Sequence, residues 1–199
     1  MYLGSLLGAG AADGAVLVTV EPPAVTRVEF DPRKPPAGQP PGGLAGSGSC
    51  RSLFEIEAGI LSSIEMLAPT TVRAYPANFD ITTRLKVTIY MPHDAQDELR
   101  AHEEGHRAIA EHYYRNAELA AREAAASVQS RSFDAGGVDR TAAEHAVAEL
   151  VRAALRDAFM ENIQARSAAG NARYDAITRH GQEPLAATDA VVAAIAQDP

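Results

Sequence analysis

One cysteine, two lysines and no tryptophan occur among the 199 residues of this chain. Cys50 has no second cysteine to pair with, so no intrachain disulfide can form, and an oxidising compartment is neither required nor excluded. Apart from Lys34 and Lys86, the basic side chains are arginines and histidines. No apolar run is long enough to span a bilayer, which leaves no transmembrane segment to expect. A formal net charge of −8 makes the phosphate backbone of a nucleic acid a poor partner. There is no Gly-rich phosphate loop, no internal repeat and no coiled-coil heptad pattern. What remains is a chain with 46% hydrophobic residues, enough for a core, and a length that fits one domain.

The ends of that domain can be read from composition. Met1–Ala12 are apolar and small, and Ala9-Gly10-Ala11 resembles a signal-peptidase site, although no basic segment precedes it. We expect residues 1–14 to be a signal remnant or tail and the protein to be exported, periplasmic or secreted, or cytoplasmic if that stretch is not a signal remnant. The domain proper runs over 15–199. Val16, Val18, Val20, Val25, Thr26 and Val28 predict two short strands broken at Pro22-Pro23. Residues 31–49 carry five prolines and five glycines with no periodicity, which predicts a flexible segment. Leu53 to Met66 fits a strand bending at Gly59 better than a short helix. Thr71–Ala74 and Asp80–Met91 read as extended, the latter from Ile81, Leu85, Val87, Ile89 and Met91.

The second half is helical. Asp94 is a candidate N-cap, and from Ala95 to about Val128 there is no proline and one glycine, which predicts a single long helix. Gly136-Gly137 marks a turn. Thr141 and Glu144 form a capping box for a second helix, antiparallel to the first and ending at Gly170, with Leu150, Phe159 and Ile163 among its packing residues. Asn171–Pro184 reads as irregular, and Thr188-Asp189 opens a last short helix.

His102-Glu103-Glu104-Gly105-His106 lies in the first long helix. Residues four apart on a helix stand about 40° apart around the axis, one turn along, so His102 and His106 can reach one ion from one face. Zinc is the usual occupant of such a pair, and a catalytic zinc takes three protein ligands. Glu103 is then the candidate base that deprotonates water. The plain alternative is a chance motif of ordinary helix residues, with Glu103 pairing with Arg107.

Three residues compete for the third ligand. His112 has metzincin-like spacing, but that arrangement needs a glycine where Ile109 stands, and on an unbroken helix His112 points about 120° away from His106. Glu161 lies on the second helix. His180 follows that helix, where an antiparallel return brings the chain back toward the motif, and Gly181 permits a close backbone.

The motif helix followed by Tyr174-Asp175-Ala176-Ile177-Thr178-Arg179-His180-Gly181 resembles an uncharacterised bacterial family of predicted secreted zinc-dependent proteases, which carries H-E-x-x-H and then Y-D-x-x-T-x-H-G. The resemblance covers roughly Cys50 to Gly181. It implies a zinc site of His102, His106 and His180 with Glu103 catalytic, and a peptide or protein as substrate. The Pro/Gly-rich segment and the lack of tryptophan depart from the family. Beside these residues, Tyr174 could donate its phenol to an oxyanion, Asp175 could accept the free N–H of a ligand histidine, and Thr178 could steady the loop.

The expected fold is α+β: a small antiparallel β-sheet packed on a long antiparallel helical hairpin, with a zincin-like site on its first helix. The expected activity is hydrolysis of peptide bonds at zinc. The alternatives are a zinc-stapled module without turnover, and a helical partner-binding protein with an accidental motif. Metal content separates the last from the others. Protein purified without chelator should hold about one zinc per chain by elemental analysis, and His102→Ala or His106→Ala should remove it. Protein that takes up no transition metal when zinc is supplied rules the site out.

Overall fold

The computed structural model describes residues 14–34, 48–182 and 186–197. The expected signal remnant and most of the Pro/Gly-rich stretch, residues 1–13 and 35–47, lie outside the described residues. Everything else is organised on one long strand, β4 (Thr71–Pro92). It is joined by the Pro69-Thr70 turn to β3 (Ser49–Ala68), which pairs antiparallel along it from Thr71 to Tyr90. A strand has two edges. The second edge of β4 carries three short strands end to end: β5 (Phe133–Gly136) at Thr71–Ala74, β1 (Val16–Val20) at Phe79–Thr83 and β2 (Ala24–Phe30) at Lys86–Pro92. β1 and β2 are one edge strand interrupted at Pro22-Pro23, which have no N–H to give to the ladder.

The sheet is therefore mixed, not antiparallel as the sequence suggested: β1 and β2 run parallel to β4. The reason is the order of docking. Phe30 at the end of β2 pairs with Pro92, and Ser49 at the start of β3 pairs with Tyr90. The chain thus leaves β2 and enters β3 at the same end of the sheet, on opposite edges of β4. β2 and β3 run antiparallel to each other, β4 returns between them, and its direction then matches that of β2.

The two extended segments expected in this region are one strand with a bulge. Leu61 pairs with Asn78 and Ser62 with Pro76, so Ala77 is the extra residue. A bulge shifts side-chain parity by one. Val72, Ala74 and Pro76 face inward before it, and Phe79, Ile81, Thr83, Leu85, Val87, Ile89 and Met91 after it.

The expected single long helix is two, α1 (Asp97–Tyr114) and α2 (Ala117–Gln129), parted at Arg115-Asn116. α1 starts behind Gln96 rather than Asp94. α3 (Arg140–Met160) is capped by Asp139, whose carboxylate accepts a hydrogen bond from Ala142 N, while Glu144 pairs with Arg140 instead of closing a capping box. The return helix does not end at Gly170. It passes through a π turn at Glu161–Ala165 into α4 (Arg166–Thr178), and α5 (Ala187–Ala196) follows. The π turn holds about one residue more than an α turn, which sets the following face back by roughly 100°. Ser167, Gly170, Tyr174 and Thr178 thereby stay on the buried side begun by Leu155, Phe159 and Ile163.

One face of the sheet is covered. Phe54, Ile81, Leu85 and Ile89 pack with Ala110 and Tyr114 of α1, Ala121 and Val128 of α2, and Val147, Val151, Leu155 and Phe159 of α3. A second cluster of Ile109, Tyr113, Tyr174, Ala190 and Ala194 joins α1 to α4 and α5. α1 is thus clamped on two faces, one toward the sheet and one toward α4. No helix among the described residues is long and apolar enough to cross a membrane.

Leu150, expected to pack, is 48% exposed, whereas Leu155 is 2% exposed. Leu155→Ala should lower unfolding stability by about 2–5 kcal/mol, and Leu150→Ala by less than about 0.5 kcal/mol. Urea midpoints at unchanged m-value measure both; equal losses would contradict this packing.

Candidate metal centre

The buried face of α1 turns His102 and His106 toward α4, one helical turn apart. Their Nε2 atoms are 3.2 Å apart. Asp175, on the facing side of α4, places Oδ1 3.4 Å from His102 Nε2 and 3.1 Å from His106 Nε2. Two donors that are each 2.0–2.1 Å from a tetrahedral zinc stand about 3.3 Å apart. The three separations match that edge length, and two imidazole nitrogens with a carboxylate oxygen are a suitable donor set. His102, His106 and Asp175 form a group that can hold a metal ion.

Asp175 was expected to stand behind a histidine ligand. It offers a ligand atom itself. His180 lies beside it, with Nδ1 3.6 Å from Asp175 Oδ1, and its side chain is 79% exposed. Arg179 and His180 both adopt left-handed backbone, with φ of 46° and 55°, and Gly181 follows at φ 80°. Left-handed backbone is strained for the first two and free for glycine. A Cβ on Gly181 would stand 3.2 Å from His102 Cγ, so this turn closes directly over the His102 ring.

Glu103 is buried on the neighbouring face of α1, toward the start of β3, where Gly48 lies against its side chain and the Cys50 backbone N–H donates to it. Burial raises its pKa above the usual carboxylate value, against the lowering pull of His106 and His102. Burial also pushes the Cys50 thiol up to about 12, helped by the Glu103 charge. Asp175 behaves oppositely. Burial works against its charge, but hydrogen bonds from His102 and His106 outweigh that and hold it well below the usual range. His106 is likewise penalised by burial and still raised, by hydrogen bonds to Asp175 and Asn171.

Tyr174 does not reach outward. It is fully buried, stacked on the His102 ring at 5.0 Å between centroids and edge-on to His106 at 5.0 Å. A Cβ at Gly105 would collide with its hydroxyl, which explains the glycine inside the motif. Among the described residues the Tyr174 hydroxyl has no hydrogen-bond partner, and burial pushes its pKa up to about 12. The expected oxyanion donor is therefore a packing floor beneath the two histidines. Thr178 donates its hydroxyl proton to Tyr174 O at 2.8 Å, leaving Oγ1 as an acceptor 3.4 Å from His102 Nδ1.

The other third-ligand candidates are elsewhere. Glu161 is exposed in the π turn, and His112 makes an edge contact with Tyr113. A residue the sequence reading passed over is Asn171, whose Oδ1 is 2.7 Å from His106 Nδ1. Its signal was the spacing Asn171, Asp175, one turn apart on a helix, which is invisible if the helix is taken to stop at Gly170.

No family model matches the chain, and neither a curated protein nor a solved structure matches it.

If Tyr174 serves only to pack, its orphaned hydroxyl is dispensable. Tyr174→Phe should raise stability by about 1 kcal/mol, the relief of an unsatisfied buried group, and leave metal affinity unchanged. Thermal melts and metal titration test this. A destabilised or metal-deficient Phe variant would mean that the hydroxyl has a partner.

Proposed function

We propose that this protein is a zinc-dependent hydrolase that cleaves peptide bonds. One observation carries the reading: His102 Nε2, His106 Nε2 and Asp175 Oδ1 converge at zinc-ligand spacing with a buried glutamate next in sequence to the first histidine. His102, His106 and Asp175 would hold the ion, with His180 at hand through Asp175. When bound, zinc acts as a Lewis acid and makes water a nucleophile near neutral pH. Glu103 takes the proton of the attacking water and returns it to the leaving amine. Its raised pKa suits a group that must both accept and release a proton. Tyr174 and Thr178 keep His102 in place. The peptide or protein substrate comes from the family resemblance alone, and export to the periplasm or outside the cell from that resemblance together with the signal-like Ala9-Gly10-Ala11.

A second reading has its own observation. If His180 joins Asp175 and the two motif histidines, four protein donors close the coordination, as in structural zinc sites, and no position is left for water. The ion would then staple the α4 turn onto α1 without turnover.

Substitution separates the two. Glu103→Gln should keep one zinc per chain and the wild-type melting temperature while losing at least about 100-fold in hydrolysis of an unfolded protein substrate. His180→Ala should cost little zinc if Asp175 is the third ligand, and Asp175→Ala should cost most of it. Wild-type protein that binds zinc but shows no hydrolysis above the Glu103→Gln level supports the stapled module.

A further inference from the structure

The side chain of Asn171 is oriented before His106 meets it. Its Nδ2 donates to Ser167 O, one turn back on α4, at 2.9 Å, and lies 3.5 Å from Ser167 Oγ. The amide nitrogen is thereby committed to the α4 backbone, and Oδ1 is the atom left to face α1. It stands 2.7 Å from His106 Nδ1. An amide oxygen can only accept, so a bond this short places a proton on Nδ1. Once Nε2 gives up the proton it shares with Asp175 Oδ1, the single N–H of the neutral ring stays on Nδ1 and the lone pair of His106 lies on Nε2, the nitrogen facing His102 Nε2 and Asp175 Oδ1. Ser167 and Tyr174 are buried on the same face of α4, and the His106 side chain is 15% exposed, so little water is at hand to replace the amide.

We propose that Asn171 is the positioning residue of the metal centre: through the Ser167–Asn171–His106 relay it fixes the tautomer of His106 and so selects Nε2 as its metal-binding atom. This rests on the zinc reading above and adds a residue outside both sequence motifs. The alternative tautomer would set an imidazole lone pair against the amide oxygen at 2.7 Å and put a hydrogen where the ion has to sit. Partners of this kind, behind a ligand histidine, change metal affinity by 10–100-fold when removed.

The test measures the tautomer and the affinity separately. Nitrogen-15 NMR of metal-free protein at pH 8 reports which nitrogen of His106 carries the proton, and competition with a chelator gives the zinc dissociation constant. Wild type should show Nδ1–H. Asn171→Leu, similar in size but without an acceptor, should lose that preference and bind zinc about 10–100-fold more weakly. Asn171→Asp restores an acceptor and should recover both the tautomer and an affinity within about threefold of wild type. A wild type that carries its proton on Nε2 alone, or a Leu variant with unchanged Nδ1 protonation and affinity, overturns the proposal. If the Leu variant fails to fold by circular dichroism, the wild-type and Asp spectra still decide it. Wild type with Nδ1–H that binds no zinc would overturn the metal reading and this role with it, leaving only the hydrogen bond from His106 Nδ1 to Asn171.

Discussion

The close approach of α1 and α4 is the constraint on which the candidate centre depends. Two glycines set it. At Gly105 the Tyr174 ring occupies the space of a side chain, and at Gly170 a Cβ would lie 2.9 Å from the Tyr113 ring and 3.2 Å from Ile109. Each helix thus presents a gap to an aromatic ring of the other. At that separation, ligand atoms on two elements far apart in sequence come within 3.1–3.4 Å of each other. The sheet holds α1 from the opposite side through Ala110 and Tyr114, so the motif helix cannot retreat without opening the main core. Sites on packed helices keep tighter geometry than sites on loops.

Electrostatics completes what packing begins. Two imidazoles and two carboxylates lie close together, with Asp175 30% exposed and Glu103 5%, and their surroundings push the carboxylates in opposite directions. Asp175 is held charged by the two histidines, whereas Glu103 sits where burial resists its charge. Separation of this sort divides labour between like groups: one stays an anion, the other becomes a proton carrier. In the proposed chemistry Asp175 anchors and Glu103 shuttles.

Much of this was readable from the chain. The i, i+4 pair His102 and His106 needed only a helix, and the residues around it are strong helix formers. The interruption at Pro22-Pro23 and the strand character of Leu53–Met66 followed from backbone chemistry and alternation. What escaped had nonlocal causes. The parallel pairing of β1 and β2 depends on β4 docking between β2 and β3, which no local pattern encodes. Gly170 looked like a helix stop because glycine is a poor helix former, but it is kept by the Tyr113 ring on another helix. That misreading turned Asn171–Thr178 into a loop and hid the helical alignment of Asn171, Asp175 and Thr178. The packing face of α3 was placed through Leu150 where Leu155 belongs. The backward step in phase at Glu161–Ala165 leaves no mark in residue type.

That π turn makes the protein unequally tolerant of codon loss at neighbouring places along one helix. Exchanging its exposed residues, such as Glu161 or Gln164, alters surface chemistry and little else. Removing a single codon there would turn the π turn into an α turn and leave the later residues of α4 on their faces, whereas removing one from α4 between Arg166 and Arg173 would turn every later residue by about 100° about its axis. In the second case Asp175 would swing away from the histidines and Tyr174 away from Gly105, with each of those amino acids still present. Chain length between the π turn and Tyr174 carries information that side-chain identity does not, and a descendant shortened there would retain both motifs while losing the centre they form.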